Sequence, residues 1–153
     1  MSKGGENMEN VKIYLSGAMG GLSIKEQSKW RTQLKNAILY GDYDFTKLPI
    51  FHSPPEYYPW IEDINQSERK SEREVMEFDL YQVRNADLII VNFTNPSSIG
   101  TAMELMLAKE LHIPIIGLNA DNKELHSWLT ESCLRICDNM KELVDHVVKF
   151  YLN

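Results

Sequence analysis

The sequence predicts an α/β fold of the doubly wound kind, with five strands in a mostly parallel sheet and helices on both faces. Three observations carry that expectation. Short β-branched runs alternate with helical patterns along the chain. The run Asp87–Phe93 (DLIIVNF) is apolar on both faces, as a parallel strand covered above and below requires. Tight glycine-containing loops follow two of the strands, at the sheet edge where ligands of such folds bind.

Taken in order, Val11–Leu15 (VKIYL) is β-branched and aromatic and runs straight into Ser16–Gly21 (SGAMGG), where the glycines permit a sharp turn. Ser23 and Glu26 have capping-box spacing, and Trp30, Leu34, Ala37 and Ile38 form a helical stripe that continues to about Leu39. Leu48–His52 (LPIFH) reads as a second strand. Pro54, Pro55 and Pro59, set among aromatic residues, predict a long irregular loop. Met76, Leu80 and Val83 share one face of a helix expected from roughly Ser67 to Asn85, ahead of the Asp87–Phe93 strand. The loop Thr94–Gly100 then leads into a helix over Thr101–Leu111, and Pro114–Leu118 (PIIGL) makes another buried strand. A helix around Lys123–Thr130, a weak edge strand Leu134–Cys137 and an amphipathic helix Asn139–Leu152 capped by Asn139 close the chain.

With 153 residues the chain is expected to form one domain over residues 11–153 behind a flexible tail at residues 1–10. A net charge of −6 without a lysine or arginine run disfavours nucleic acid as a partner. No apolar run spans a bilayer and the N-terminus lacks a signal pattern, which predicts a protein of the cytoplasm. Cys133 and Cys137 are too few for a structural zinc site, and the four histidines share no ligand spacing, so neither metal nor cofactor is predicted.

Both glycine loops, SGAMGG and NPSSIGT, open helices, and their backbone amides, at Gly17 and Gly20 in the first and at Gly100 in the second, can approach an anion closely. The first loop is not the dinucleotide pattern, since its glycines do not make G-x-G-x-x-G. Glu104 is expected in the first turn of its helix, with its carboxylate at the same edge. It also fits a capping box with Thr101, in which it would only satisfy a backbone N–H. Asp79 by itself reads as a solvated carboxylate, and Tyr14 by itself as a core tyrosine.

Together, KIYLSGAMGG, FDLYQVRNADLIIVNF and NPSSIGTAMELMLAKELHIPIIGL resemble the nucleoside 2-deoxyribosyltransferase family, including its deoxynucleoside 5′-monophosphate N-hydrolase branch. The signature is Asp79, then Ala86-Asp87 opening a strand, then a G-T-x-x-E-L helix start, and the resemblance covers Val11 to about Leu129. It implies a flavodoxin/Rossmann-like fold, homodimers or higher assemblies, and active sites completed by a neighbouring subunit. It further implies Glu104 as the nucleophile at C1′ of a deoxyribose, Asp79 as the carboxylate assisting departure of the base, and Tyr14 as the hydroxyl orienting Glu104. Gly17 is implied beside the sugar and its 5′ substituent. Ser98, where transferases of the family usually carry aspartate, and Ser127 match serines that reach phosphate in the hydrolase branch. Ala18 departs from that branch, which carries a serine after the glycine and an extra basic residue. The Pro54–Trp60 segment has no clear counterpart. A base-exchanging transferase and a non-catalytic nucleotide sensor stay open beside the hydrolase.

Overall fold

The computed structural model describes residues 8–19, 22–57 and 72–153. Five strands, β1 (Asn10–Gly17), β2 (Leu48–His52), β3 (Leu88–Asn92), β4 (Ile115–Leu118) and β5 (Arg135–Cys137), form one sheet in the order β2-β1-β3-β4-β5. Every pairing is parallel. The helices are α1 (Ile24–Tyr40), α2 (Pro54–Tyr57), α3 (Glu72–Arg84), α4 (Ile99–Glu110), α5 (Ser127–Ser132) and α6 (Met140–Tyr151).

Strand alternation sorts the core into two layers. Ile13, Leu15, Leu88, Ile90 and Ile116 meet Leu34 and Ile38 of α1 and Leu143 and Val147 of α6 on one face. Tyr14, Ile89, Val91 and Ile115 meet Val83 of α3 and Leu105 and Ala108 of α4 on the other. The chain reverses direction across the sheet between β1 and β3, where Gly17 pairs with Asn92, and this switch point leaves a crevice at the carboxyl ends of the strands. Asp87 fixes the far end of the same pairing: its carboxylate accepts from the Lys12 N–H at 2.8 Å, and its own N–H donates to Lys12 O.

The caps expected at Ser23 and Asn139 are present, accepting from the N–H groups of Glu26 at 3.1 Å and Glu142 at 2.8 Å. Other boundaries differ from the sequence expectation. α4 begins at Ile99 with Ser98 as its N-cap, so Glu104 lies in the second turn and not the first. The Thr101–Glu104 capping box therefore does not form. Thr101 is buried, and its hydroxyl donates to Ser98 Oγ at 3.0 Å. Pro54 and Pro55 open the short helix α2 where a loop was expected, because the fixed proline φ suits a first helical turn, whose N–H groups have no intrahelical partner. The helix expected at Lys123–Thr130 starts only at Ser127, with His126 Nδ1 accepting from the Trp128 N–H as its cap. Within the stretch expected as a tail, Met8 packs against the core and Asn10 already pairs with Leu48. Residues 1–7, and 58–71 with Pro59 and the start expected for α3, lie outside the described residues.

Candidate active site

The floor of the crevice is built by β1. Tyr14 and Ser16, two apart on one strand, face the same side of the sheet and are each 1% exposed. Opposite them α4 buries Thr101, Leu105 and Ala108 against the sheet, which turns Glu104 inward beside them. Both hydroxyls donate to its carboxylate: Tyr14 to Oε2, and Ser16 to Oε1 at 2.9 Å. The third wall is α3, whose residues Glu72, Val75, Met76, Asp79 and Leu80 line the opening at helical spacing.

The cavity measures about 510 Å³, is open to solvent on one side and is lined by both Glu104 and Asp79, together with Gly17, Ser98 and Gly100. That volume falls within the range of small-molecule sites. Gly17 lies in close quarters: a Cβ there would stand 3.3 Å from the Trp30 ring, a tight contact, and 3.5 Å from Asn92 O, an ordinary one. At Gly100 nothing lies within 4 Å of that position, so the missing side chain leaves open cavity at the start of α4.

Burial pushes the Glu104 carboxyl up from 4.5 to about 7, and the nearby Asp79 charge adds to this. The hydroxyl bonds from Tyr14 and Ser16 and the Arg31 charge act in the opposite sense. Tyr14 is held well above the ordinary phenol value by burial and by the Glu104 and Asp79 charges, which keeps it a proton donor. At neutral pH, Glu104 thus exists in both charge states, and its ionised form is a desolvated carboxylate aimed by two hydroxyls. A group of this kind can act as nucleophile or as acid–base.

Of the residues singled out from sequence, Glu104, Asp79, Gly17, Ser98 and Gly100 line one cavity, and Tyr14 lies directly beneath it. Ser127 opens α5 as an exposed residue outside this cavity, and Gly20 lies outside the described residues. Three contributors were not anticipated. Ser16 is legible in retrospect, because strand alternation puts it on the face of Tyr14. Arg31, fully buried, donates to Leu15 O at 3.2 Å, Gln27 O at 2.6 Å and Gly17 O at 3.3 Å, fastening the end of β1. His52 stacks on Tyr14 with ring centroids 5.2 Å apart, and its Nε2 stands 3.9 Å from Asp79 Oδ1. Cys137 is buried and Cys133 half-buried, and burial pushes the Cys133 thiol up to about 12. Among the described residues no group of three or more His, Cys, Asp or Glu side chains could hold a metal ion.

A family profile described as nucleoside 2-deoxyribosyltransferase matches residues 13–148. Solved structures of similar fold include the 2-deoxyribosyltransferase of the psychrotolerant bacterium Bacillus psychrosaccharolyticus, with a TM-score of 0.65 and 18% identity over 88% of this chain and 91% of that one. A conserved protein from Enterococcus faecalis gives 0.66 and 17%, over 91% and 98% of the two chains. A CMP N-glycosidase from Clostridium botulinum gives 0.53 and 19%, over 91% and 99%. No curated protein matches the sequence.

Proposed function

The chain belongs to the nucleoside 2-deoxyribosyltransferase family, and from that premise we propose that it cleaves the N-glycosidic bond of 2′-deoxynucleoside 5′-monophosphates, or of deoxynucleosides, through a covalent Glu104-deoxyribosyl ester. One observation supports this above the others: the buried Glu104 carboxylate, gripped by Tyr14 and Ser16, faces a cavity that it shares with Asp79. A carboxylate oxygen of Glu104 bonds to C1′ as the C1′–N bond breaks, and the bonding pair leaves with the base, which takes a proton from Asp79. The charge on Glu104 stabilises the oxocarbenium character of the transition state before trapping it. Water then attacks C1′ and gives a proton to the ionised Asp79, the C1′–O bond breaks with its electron pair returning to Glu104, and both carboxyl groups are restored.

The monophosphate preference rests on the start of α4. Ser98 Oγ accepts from Thr101 at 3.0 Å, which leaves its own proton for an anion, and the exposed first-turn amides carry the positive end of the helix dipole. A second reading, base exchange between neutral deoxynucleosides, is favoured by a different observation. Among the described residues the cavity carries Glu72, Asp79 and Glu104 but neither lysine nor arginine, which opposes a dianion.

We propose further that the chain works as a homodimer or larger homo-oligomer, with Ser127 supplied across the interface. The support is an exposed apolar stripe beside the cavity: Ile99 is 77% exposed, Met103 54%, Met106 42% and Trp128 71%. Among the described residues no helix is long and apolar enough to cross a membrane, and we place the protein in the cytoplasm.

Incubation with deoxynucleosides and deoxynucleotides, with and without an acceptor base, separates the readings. Free base from monophosphates alone is the expected result, and exchanged base from nucleosides indicates the transferase. Protection against melting with no product marks a binding module and overturns the proposal.

A further inference from the structure

We infer that Ser16 is a second positioning residue for Glu104, holding Oε1 while Tyr14 holds Oε2, and that its hydroxyl makes Glu104 a better leaving group when the deoxyribosyl ester is broken down. The inference rests on the glycosyl-ester reading above and adds to it a residue that no family match assigns.

The geometry leaves Ser16 little else to do. It is 1% exposed and sits in an interior strand, with Val91 as its register partner, and its Oγ meets Glu104 Oε1 at 2.9 Å. Backbone pairing with β3 at Ser16 itself, and with β2 as far as Tyr14, fixes the strand, so the hydroxyl is preorganised and is not drawn into place by substrate. A hydrogen bond to a charged oxygen is about twice as strong as one to a neutral oxygen. Ser16 therefore stabilises the free carboxylate more than the ester, whose oxygens are neutral. In the second half-reaction the water oxygen bonds to C1′, the C1′–O bond breaks, its electron pair returns to Glu104, and the water proton passes to Asp79, which gave its own to the base. The donor aids that return of charge, whereas in the first half-reaction it acts mainly by keeping Glu104 ionised.

Among the described residues, the other charged and titratable groups around Glu104 are Tyr14 on β1, Asp79 and Glu72 on α3, and Arg31 beneath β1. Ser16→Ala leaves all four in place. The full-length variant should then show three changes at once: a fall in kcat of about tenfold, the loss of one bond to a charged group; an acid limb of the pH–rate profile moved to higher pH; and ester detectable by intact-mass spectrometry of quenched reactions. Ser16→Thr, which keeps the hydroxyl, should restore the limb and abolish the accumulation.

A lower kcat with the acid limb unmoved and no ester accumulating would reduce Ser16 to packing and overturn the inference. Glu104→Gln in parallel tells the two failures apart. Turnover by that variant defeats the glycosyl-ester reading itself, whereas a dead Glu104→Gln beside a wild-type-like Ser16→Ala defeats only the role given to Ser16.

Discussion

Replacing Glu104 by glutamine probes electrostatics and chemistry together. Burial holds this carboxyl at about 7 against an ordinary 4.5, so the folded chain binds the proton more tightly than the unfolded one. Below pH 4.5 the group is neutral in both states, and its contribution to stability is fully present. As pH rises towards about 7 the unfolded chain ionises first and stability is lost; above that value the loss is complete. The interval from 4.5 to about 7, at about 1.4 kcal/mol per pH unit, amounts to about 3 kcal/mol at most, since one side of the carboxyl faces the open cavity. Glutamine never ionises and escapes that loss. At pH 8 the variant should melt above the wild type by on the order of 5 to 10 °C for a domain of this size. The gap should close as pH falls to 4.5, where the wild-type carboxyl is also neutral. Thermal melts followed by circular dichroism across this range at fixed ionic strength, with turnover measured on the same samples, make the test. Parallel melting curves at every pH would refute the claim of a desolvated, ionising carboxyl, and undiminished turnover would refute its role as nucleophile.

The other predictions can be checked with the same preparations. Asp79→Asn removes a charge that raises the Glu104 carboxyl, so the acid limb of kcat/KM should move to lower pH, and kcat should fall on the role proposed for Asp79, both read from a pH–rate profile. Ser98→Ala removes the α4 cap and should cost about 1 kcal/mol in urea unfolding. It should also raise KM for monophosphates while leaving KM for nucleosides near the wild-type value. Gly117→Ala places a Cβ 2.8 Å from the buried Phe93 ring. Denaturant melts should show a loss of about 1–3 kcal/mol for that overpacking, with turnover retained below the melting range.

The sheet could be read from sequence because its signals are local. Parallel strands covered on both faces, such as Leu88–Asn92, have continuous apolar runs, and the caps at Ser23 and Asn139 act within three residues. The start of α4 was misjudged because Ser98 and Thr101 are both competent caps three apart, and Gly100 between them reads as loop. Only packing decides, since burying Thr101 commits Ser98 to the capping role. Glu104 and Asp79 were singled out through family resemblance and not through local pattern, because each sits among other charged residues of a helix. Arg31 was invisible for the same reason: in a helix with Lys25, Lys29 and Lys35 nothing marks the cation that turns inward to donate to three carbonyls. The stacking of His52 on Tyr14 follows from the pairing of their strands in register, which no local signal reports.

That the two hydroxyls come from β1 has a consequence for how the site loses its shape. β1 is hydrogen-bonded along both edges, and proteins open locally from their ends and rims before their middle strands part. Amide hydrogens of Tyr14 and Ser16 should therefore be among the slowest to exchange, surrendered only when the whole chain unravels. Asp79, on an outer helix, belongs to a layer that can breathe independently. The hydroxyls that hold Glu104 are thus as durable as the protein itself, whereas the Asp79 side of the cavity is free to adapt to its guest.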